Sequence, residues 1–534
     1  MRIIFVFTVA LLLGGCYQNE SGLSDTLLYC TENSPQSFNP QISHDVSTLD
    51  ATTHQLYNRL IKIDPTSNRF IPDLATHWLE SEDKLSYTFF LRRNVSFHQT
   101  DYFSPKRYFN ADDVIFSFNR MLNKNHPFHS VNRVSDTFFF NHPFTNLVSD
   151  IIKVDQYTVK FVLNSPDATL LANLAAHYAV IHSQEYAQSL LSRGHPEKID
   201  FYPIGTGPYK FKNFQSSRVT RYLAHDLYWG EKAAVKKLIY DVTPNNTKRY
   251  TKLLSGECDV ITYPAASQLS KISKNTDVVI SSQPTANIAL WSFNTSREPF
   301  DQVEVRQALS HAVDQKTIVD AVFFESASAT DTLLAKRSWA FNPRSTHINY
   351  QPDDSLLSLK QRGYDFTKKL TILTPSDNSV FNPNFHKTAE LIQANLFDIG
   401  IDSEIISLTH AELEKRLLSG DYDTYVTGIN IHINDPDNLF RPLLSCDSTV
   451  LEGNSSRWCS AQVQELLDST LIEPSFIKRV RNYYELQKII QEQRPYFPIA
   501  HVLRMDAFNK NISGLLVNPL TGINFQNVRK IEAR

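Results

Sequence analysis

Leu74-Ala75-Thr76-His77-Trp78-Leu79-Glu80 leads across a short polar break into Leu85-Ser86-Tyr87-Thr88-Phe89-Phe90-Leu91-Arg92-Arg93-Asn94-Val95-Ser96-Phe97-His98, and then to Ala111-Asp112-Asp113-Val114-Ile115-Phe116-Ser117-Phe118. Between Trp78 and Arg120 the pattern is strand, loop, helix. Tyr87-Thr88-Phe89-Phe90-Leu91 combines aromatic and β-branched residues, which suit a half-buried pleated surface. Asn110 stands where an N-cap accepts the first orphan N–H groups, and Asp112 and Asp113 place carboxylates at the positive end of the helix dipole. This helix is expected to run to Met121. The aromatics at 87–90 read as core rather than as a stacking platform.

The same alternation extends in both directions. Residues 17–26 are small and polar, and 26–30 read as a first strand. A loop rich in Ser, Asn and Pro follows at 34–40. Residues 47–60 have helical spacing, with Leu49, Leu56, Tyr57 and Leu60 on one face. The stretch 122–148, rich in His, Asn, Phe and Pro, reads as an ordered loop. Further strands are expected at 154–163 and 370–373, and helices near 302–322, 384–398, 460–473 and 475–493. The fold class is therefore mixed α/β, with no internal repeat.

Of 534 residues, 42% are hydrophobic and 12% aromatic. Single cores stop growing at roughly 250–300 residues, so two or three lobes are expected. Lys plus Arg is 53 and Asp plus Glu 56, a net charge of −3. Such a chain has no general field for polyanions, and nucleic acid is not an expected partner. Met1-Arg2, the apolar run 3–13 and Leu13-Gly14-Gly15-Cys16 form a signal segment (1–15) that is too short to span a ~30 Å bilayer core. The small residues before Cys16 resemble a lipobox, which makes Cys16 the lipidation site and 16–27 the tether. Four further cysteines remain, Cys30, Cys258, Cys446 and Cys459. An even number in an exported chain points to two disulfides, for which three pairings exist. Cys446 and Cys459 are near enough to clip one loop. No CxxC and no histidine cluster accompanies them, so no metal site is expected.

The quoted blocks resemble the solute-binding proteins of peptide importers, the oligopeptide and dipeptide cluster. Ile204-Gly205-Thr206-Gly207-Pro208-Tyr209, Phe293-Asn294-Thr295, Val305-Arg306-Gln307-Ala308-Leu309, Asn434-Asp435-Pro436-Asp437-Asn438 and Arg494-Pro495-Tyr496-Phe497-Pro498-Ile499 continue the resemblance in order. Phe103-Ser104-Pro105-Lys106-Arg107, Pro264-Ala265-Ala266-Ser267-Gln268-Leu269 and Phe440-Arg441-Pro442-Leu443-Leu444-Ser445-Cys446 are most similar to the SapA subfamily, associated with peptide uptake and antimicrobial-peptide resistance.

The resemblance implies pairings Cys30–Cys258 and Cys446–Cys459 and a periplasmic binding protein of three lobes, two main ones joined by a hinge. Lobe I would take 28–60, 199–286 and 507–534, the inserted lobe II 61–198, and lobe III 287–506. Chain crossings near 283–293 and 499–506 would form the hinge. The implied function is that of a lipid-anchored, monomeric capture protein, delivering peptide from an interlobe cleft to an inner-membrane permease and its ATPase.

Family members that hold a free dipeptide use an aspartate for its ammonium and an arginine for its carboxylate. Here the corresponding stretches are Thr427-Gly428-Ile429-Asn430-Ile431-His432-Ile433-Asn434-Asp435, with His432 at the ammonium position, and 375–384, which contains Asp377 and Asn378 but no arginine. Both dipeptide anchors are absent, so a zwitterionic dipeptide is not the expected ligand. Ligand contacts are expected from Ser43, His44, Asp45, Trp291, Asp377, Asn378, Gly428, Asn430, His432 and Asn434.

An enzyme is not expected: GxSxG, HExxH, phosphate-loop and GxGxxG motifs are absent from the sequence. No resident cofactor is expected. Haem, linked to relatives in this cluster, is an alternative transported ligand, with His44 or His432 as axial candidates. A chaperone-like holder of periplasmic chains is the third reading.

Overall fold

Two strands are far longer than the rest, Val278–Phe293 and Tyr496–Asn509, with 16 and 14 residues. They pair antiparallel from Val278↔Asn509 to Ser292↔Tyr496, and the register breaks between Pro284 and Ile288. In this computed structural model, residues 25–43, 45–132, 143–215 and 218–531 are described. The signal segment, Cys16 and His44 lie outside them.

The two long strands join two half-sheets into one sheet of eleven strands. On one side Tyr496–Asn509 pairs with Val260–Thr262, followed by Thr26–Thr31, Lys237–Val242, Val219–Ala224 and Tyr209–Gln215. On the other, Val278–Phe293 pairs with Thr424–Ile429, followed by Leu370–Pro375 and Ser403–Leu408. The chain crossings expected near 283–293 and 499–506 fall on these two strands.

A separate antiparallel sheet has the order Ala75–Glu80, Ser86–Leu91, Thr158–Leu163, Val148–Asp155. The helix Ala111–Leu122 packs beside it. Asn110 caps it, and Asp113 accepts in return from the Asn110 N–H at 3.0 Å, a reciprocal box. Val114, Phe118 and Met121 turn inward with Phe89 and Phe161, in a core that runs from Leu60 to Ile204 and takes in Ile433 from far along the chain. The disulfides are Cys30–Cys258 and Cys446–Cys459, with Cα separations of 5.9 and 4.9 Å.

Three elements differ from their sequence patterns. The helix expected over 47–60 is only Val46–Thr52. Beyond it the carbonyls of Gln55 and Leu56 accept from the Tyr209 and Gly207 N–H groups at 2.9 and 3.0 Å, so they cannot serve a helix. A Cβ on Gly207 would lie 2.4 Å from the Gln55 oxygen, which is why glycine stands there. The strand expected at 154–163 belongs to a hairpin, reversed where the Asp155 carboxylate accepts from the Tyr157 N–H at 2.7 Å. The helix near 302–322 stops at His311 and restarts at Gln315, recapped by Asp314 on the Thr317 N–H.

Arg504, on the second long strand, is buried between two carboxylates. It donates to Asp50 at 2.9 and 2.8 Å and to Asp506 at 3.0 Å. Asp50 also accepts from the Tyr29 hydroxyl at 2.6 Å and the Ile523 N–H at 2.9 Å. Removing one member of such a group strands the other charges in low dielectric. Arg504→Met is expected to lose about 3–5 kcal/mol of unfolding free energy in urea, and an effect below about 1 kcal/mol would show that the group is solvated.

Candidate ligand-binding cavity

A cavity of about 460 Å³ lies where residues 54–73, 228–231 and 516–527 meet His432 and Asn434. Its floor is organised by Asn58. The Asn58 amide donates to Asp73 at 3.2 Å and accepts from the Thr206 hydroxyl at 3.0 Å and the Trp229 indole N–H at 3.1 Å. Asp73 also accepts from the Arg59 backbone N–H at 2.9 Å. The Arg59 side chain is 4% exposed, and its Nε and Nη1 have no hydrogen-bond partner in the protein. Burial pulls this guanidinium below its ordinary value, and the nearby Asp73 charge opposes the shift. His54 meets the Thr521 hydroxyl at 2.8 Å, and burial first, then the charges of Arg59 and Lys62, hold it well below the usual histidine range. It is therefore a neutral hydrogen-bonding group at neutral pH. Arg92 lies 4.5 Å over the Trp229 ring.

Across the cavity, the segment 429–435 reaches over to the small sheet's domain. The Asn434 amide donates to Asn68 at 2.8 Å, and the His432 ring sits 5.5 Å from that of His177. Ile433 enters the core of residues 60–204, and the Ala168 N–H donates to the Leu471 carbonyl at 2.8 Å. Behind this bridge Arg479 holds Asp435 through two bonds of 2.9 and 2.8 Å, and Arg441 grips Asp437 from 3.0 Å. Asp167 faces them across the gap, and burial raises its carboxyl, with Asp435 adding to the shift.

Burial also raises Asp437 to about 6, against the lowering effect of Arg441 and with added repulsion from Asp435 and Asp167. The folded protein therefore binds a proton here between about pH 4 and pH 6 that the unfolded chain releases near pH 3.9. Stability from that proton is present below about pH 4 and is lost as pH rises through about 6. Relative to Asp437→Asn, the wild type is expected to lose up to about 2–3 kcal/mol of unfolding free energy between pH 4 and pH 7. A flat or rising difference in urea titrations at the two pH values would sink this assignment.

Of the residues expected from sequence to touch ligand, His432 and Asn434 line the cavity. Gly428 lies on the strand that leads to them, packed against the Phe381 ring and the Ile288 carbonyl. Asn430 follows it, half-buried. Ser43 and Asp45 are spent on local structure: the Ser43 hydroxyl donates to Asp45 at 2.6 Å, and Asp45 caps the helix Val46–Thr52. Asp377 and Asn378 lie on an exposed loop. Trp291 is 0% exposed and packs 4.6 Å from Phe293 in the core beneath the half-sheet, because inward alternation on its strand turns the indole away from any opening. His44 lies outside the described residues.

Sequence reasoning did not single out His54, Arg59, Asp73, Trp229 or the 516–527 segment. One signal was available in Tyr57-Asn58-Arg59-Leu60, where polar residues interrupt an apolar face just as the helix fails.

Comparison with known proteins agrees with this architecture. Residues 69–450 match the family described as bacterial extracellular solute-binding proteins, family 5 Middle. The dipeptide-binding protein of Escherichia coli K12 is 35% identical over 503 residues, 94% of each chain. The peptide transport periplasmic protein SapA of Salmonella typhimurium is 34% identical over 94% of this chain and 91% of its own. Heme-binding protein A of Haemophilus influenzae is 34% identical, also over 94% of this chain and 91% of its own. Among solved structures, HbpA2 from Haemophilus parasuis superposes with a TM-score of 0.89 at 35% identity, covering 95% of this chain and 99% of that one. A dipeptide-binding protein from Pseudoalteromonas sp. SM9913 in complex with Met-Leu gives 0.80 at 37% identity, covering 95% and 100%. Among the described residues no helix is long and apolar enough to cross a membrane. With a two-lobed α/β body, a cavity at the junction and matches of this extent, the chain belongs to the bacterial extracellular solute-binding proteins of family 5.

Proposed function

We propose that this chain is the capture lipoprotein of an ABC importer. It holds a short peptide in the cavity between its lobes and presents it to a membrane permease driven by a separate ATPase. The observation that carries this reading is the cavity itself, about 460 Å³, walled by residues 54–73 and 516–527 and bridged by His432 and Asn434. That volume falls within the roughly 300–1,000 Å³ of small-ligand pockets. It suits a short peptide rather than a whole antimicrobial peptide.

In this reading lobe I takes 28–60, 199–286 and 507–534, lobe II 61–198 and lobe III 287–506. Largely separate cores support this division, one running from Leu60 to Ile204 with Ile433 added, one joining Leu27–Tyr57 to Tyr209–Val260 and Ile512–Val528, one within 289–502, and one over 288–496 that takes in Leu520. Hinge bending at the two long strands would open and close the cavity. Cys16 carries the lipid, the tether expected over 16–27 ends where the first strand begins at Thr26, and the protein works as a monomer in the periplasm.

A second reading is haem capture. A relative named heme-binding protein A and the presence of His54 and His432 on the cavity support it. The chaperone reading has no such support, because a cavity of about 460 Å³ is small for an unfolded chain.

Mass spectrometry of the protein purified from its native membrane, native and then denatured, tests the proposal. The expected result is a ladder of short peptides released on denaturation and a chain beginning at a lipid-modified Cys16. Haem with its Soret band moves the function to the second reading. The free dipeptide Met-Leu is expected not to raise the melting temperature, because His432 and the arginine-free loop 375–384 offer neither charge that a dipeptide's ends require. Saturable stabilisation by Met-Leu would overturn that selectivity.

A further inference from the structure

The charged side chains on the cavity are unequally committed. Asp64 is held by the N–H groups of Thr66 and Ser67 at 3.0 and 2.7 Å. Asp73 accepts from Asn58 and from the Arg59 backbone, and Glu231 faces Arg529 at 3.5 Å. Arg59 and Lys62 line the same cavity and form no ion pair among the described residues. Arg59 is the sharper case, because its guanidinium is 96% buried with Nε and Nη1 unpartnered. A guanidinium presents five N–H donors in a flat fork matched to carboxylate geometry, and burying it unpaired is unfavourable. Across the gap, the wall contributed by 287–506 is His432 and Asn434 and carries no cation. The loop 375–384, which has no arginine, lies with Asp377 and Asn378 exposed.

We propose that Arg59 is the carboxylate anchor of this cavity, with Lys62 as its outer partner, so that the protein selects ligands with a carboxylate facing residues 59–73. The inference deepens the capture reading and rests on it only for the ligand being a peptide. On this arrangement the carboxylate contact sits on the wall formed by the first 73 residues. The fork of Arg59 would take both carboxylate oxygens, while neutral His54 and the amide of Asn434 remain for uncharged parts of the ligand.

Isothermal titration with tri-, tetra- and pentapeptide pools, each prepared as free acid and as C-terminal amide, tests this. The wild type is expected to bind free acids at least about tenfold more tightly than amides. Arg59→Met is expected to erase that ratio, whereas Arg59→Lys keeps part of it. Equal affinity for acid and amide in the wild type, or a ratio that survives in Arg59→Met, overturns the proposal. If Arg59→Met does not accumulate, Lys62→Gln decides: the ratio is expected to fall about threefold, and an unchanged ratio counts against the anchor. Should neither peptide form bind, the peptide reading fails and glutarate becomes the probe. Stabilisation of the wild type by about 10 mM glutarate that is lost in either variant sustains the carboxylate anchor, and no stabilisation overturns it.

Discussion

Arg504 is buried between Asp50 and Asp506, and the placement of the cavity depends on that contact. The arginine sits on one of the two strands shared by both half-sheets. Asp50 belongs to the first helix and accepts from Tyr29 on the first strand and from Ile523 near the C-terminus. Four segments distant in sequence are thus fixed to one pair of carboxylates. Gln55 adds to this by donating to the Ile523 carbonyl at 2.7 Å, three residues from the cavity's Asn58. The segment 516–527 is thereby docked as a wall rather than left as a loose tail. A hydrophobic contact in this position would bind without direction, whereas a two-pronged guanidinium sets the register of everything that meets it.

The long strands also explain how one molecule can be both firmly built and able to close. Each lobe keeps its own core, so opening need not break either. The ladder between Val278–Phe293 and Tyr496–Asn509 is interrupted between Pro284 and Ile288, where the path passes from one half-sheet to the other. A proline supplies no ladder donor, which makes this the natural place for the strands to bend. Contacts across the gap include the Asn434–Asn68 amide pair, the His432–His177 ring contact, the Ala168–Leu471 backbone bond and the insertion of Ile433.

Much of the scaffold was legible in the sequence because its signals are local. Asn110 with Asp112 and Asp113 marks a helix start wherever it occurs, and the alternation at 86–91 marks a strand. The pairing of Cys30 with Cys258 and Cys446 with Cys459 followed from family resemblance and is present. The site was less legible. His432 and Asn434 were singled out because the stretch they sit in resembles one that touches ligand in the family, and both line the cavity. Trp291 reads equally well as a binding aromatic or as core, and only the facing of its strand settles it. Ser43 and Asp45 read as ligand contacts in a cleft loop, whereas in the fold Asp45 caps the helix Val46–Thr52 and Ser43 donates to Asp45. Arg59 was missed because its meaning comes from residues more than a hundred positions away. Gly207 truncates the helix that would otherwise have carried Arg59 to a different face, and Trp229 and Thr206 fix the asparagine beside it.

The distribution of charge around the cavity bears on the order of events in capture. Arg59 and Lys62 belong to the wall that begins the chain, and the closing segment contributes an imidazole and an amide. A ligand carboxylate would be attracted to the first wall while the cavity is open, where the field of two unpaired cations is already in place. Closure then removes water from that contact and strengthens it, adding directional but uncharged hydrogen bonds from the other side. If the charges sat on the closing segment instead, the open state would bind weakly and closure would have to precede recognition. With Arg59 as the proposed anchor, a cation on one wall and neutral groups on the other would favour binding before closure, because the guanidinium is buried without a partner for its Nε and Nη1.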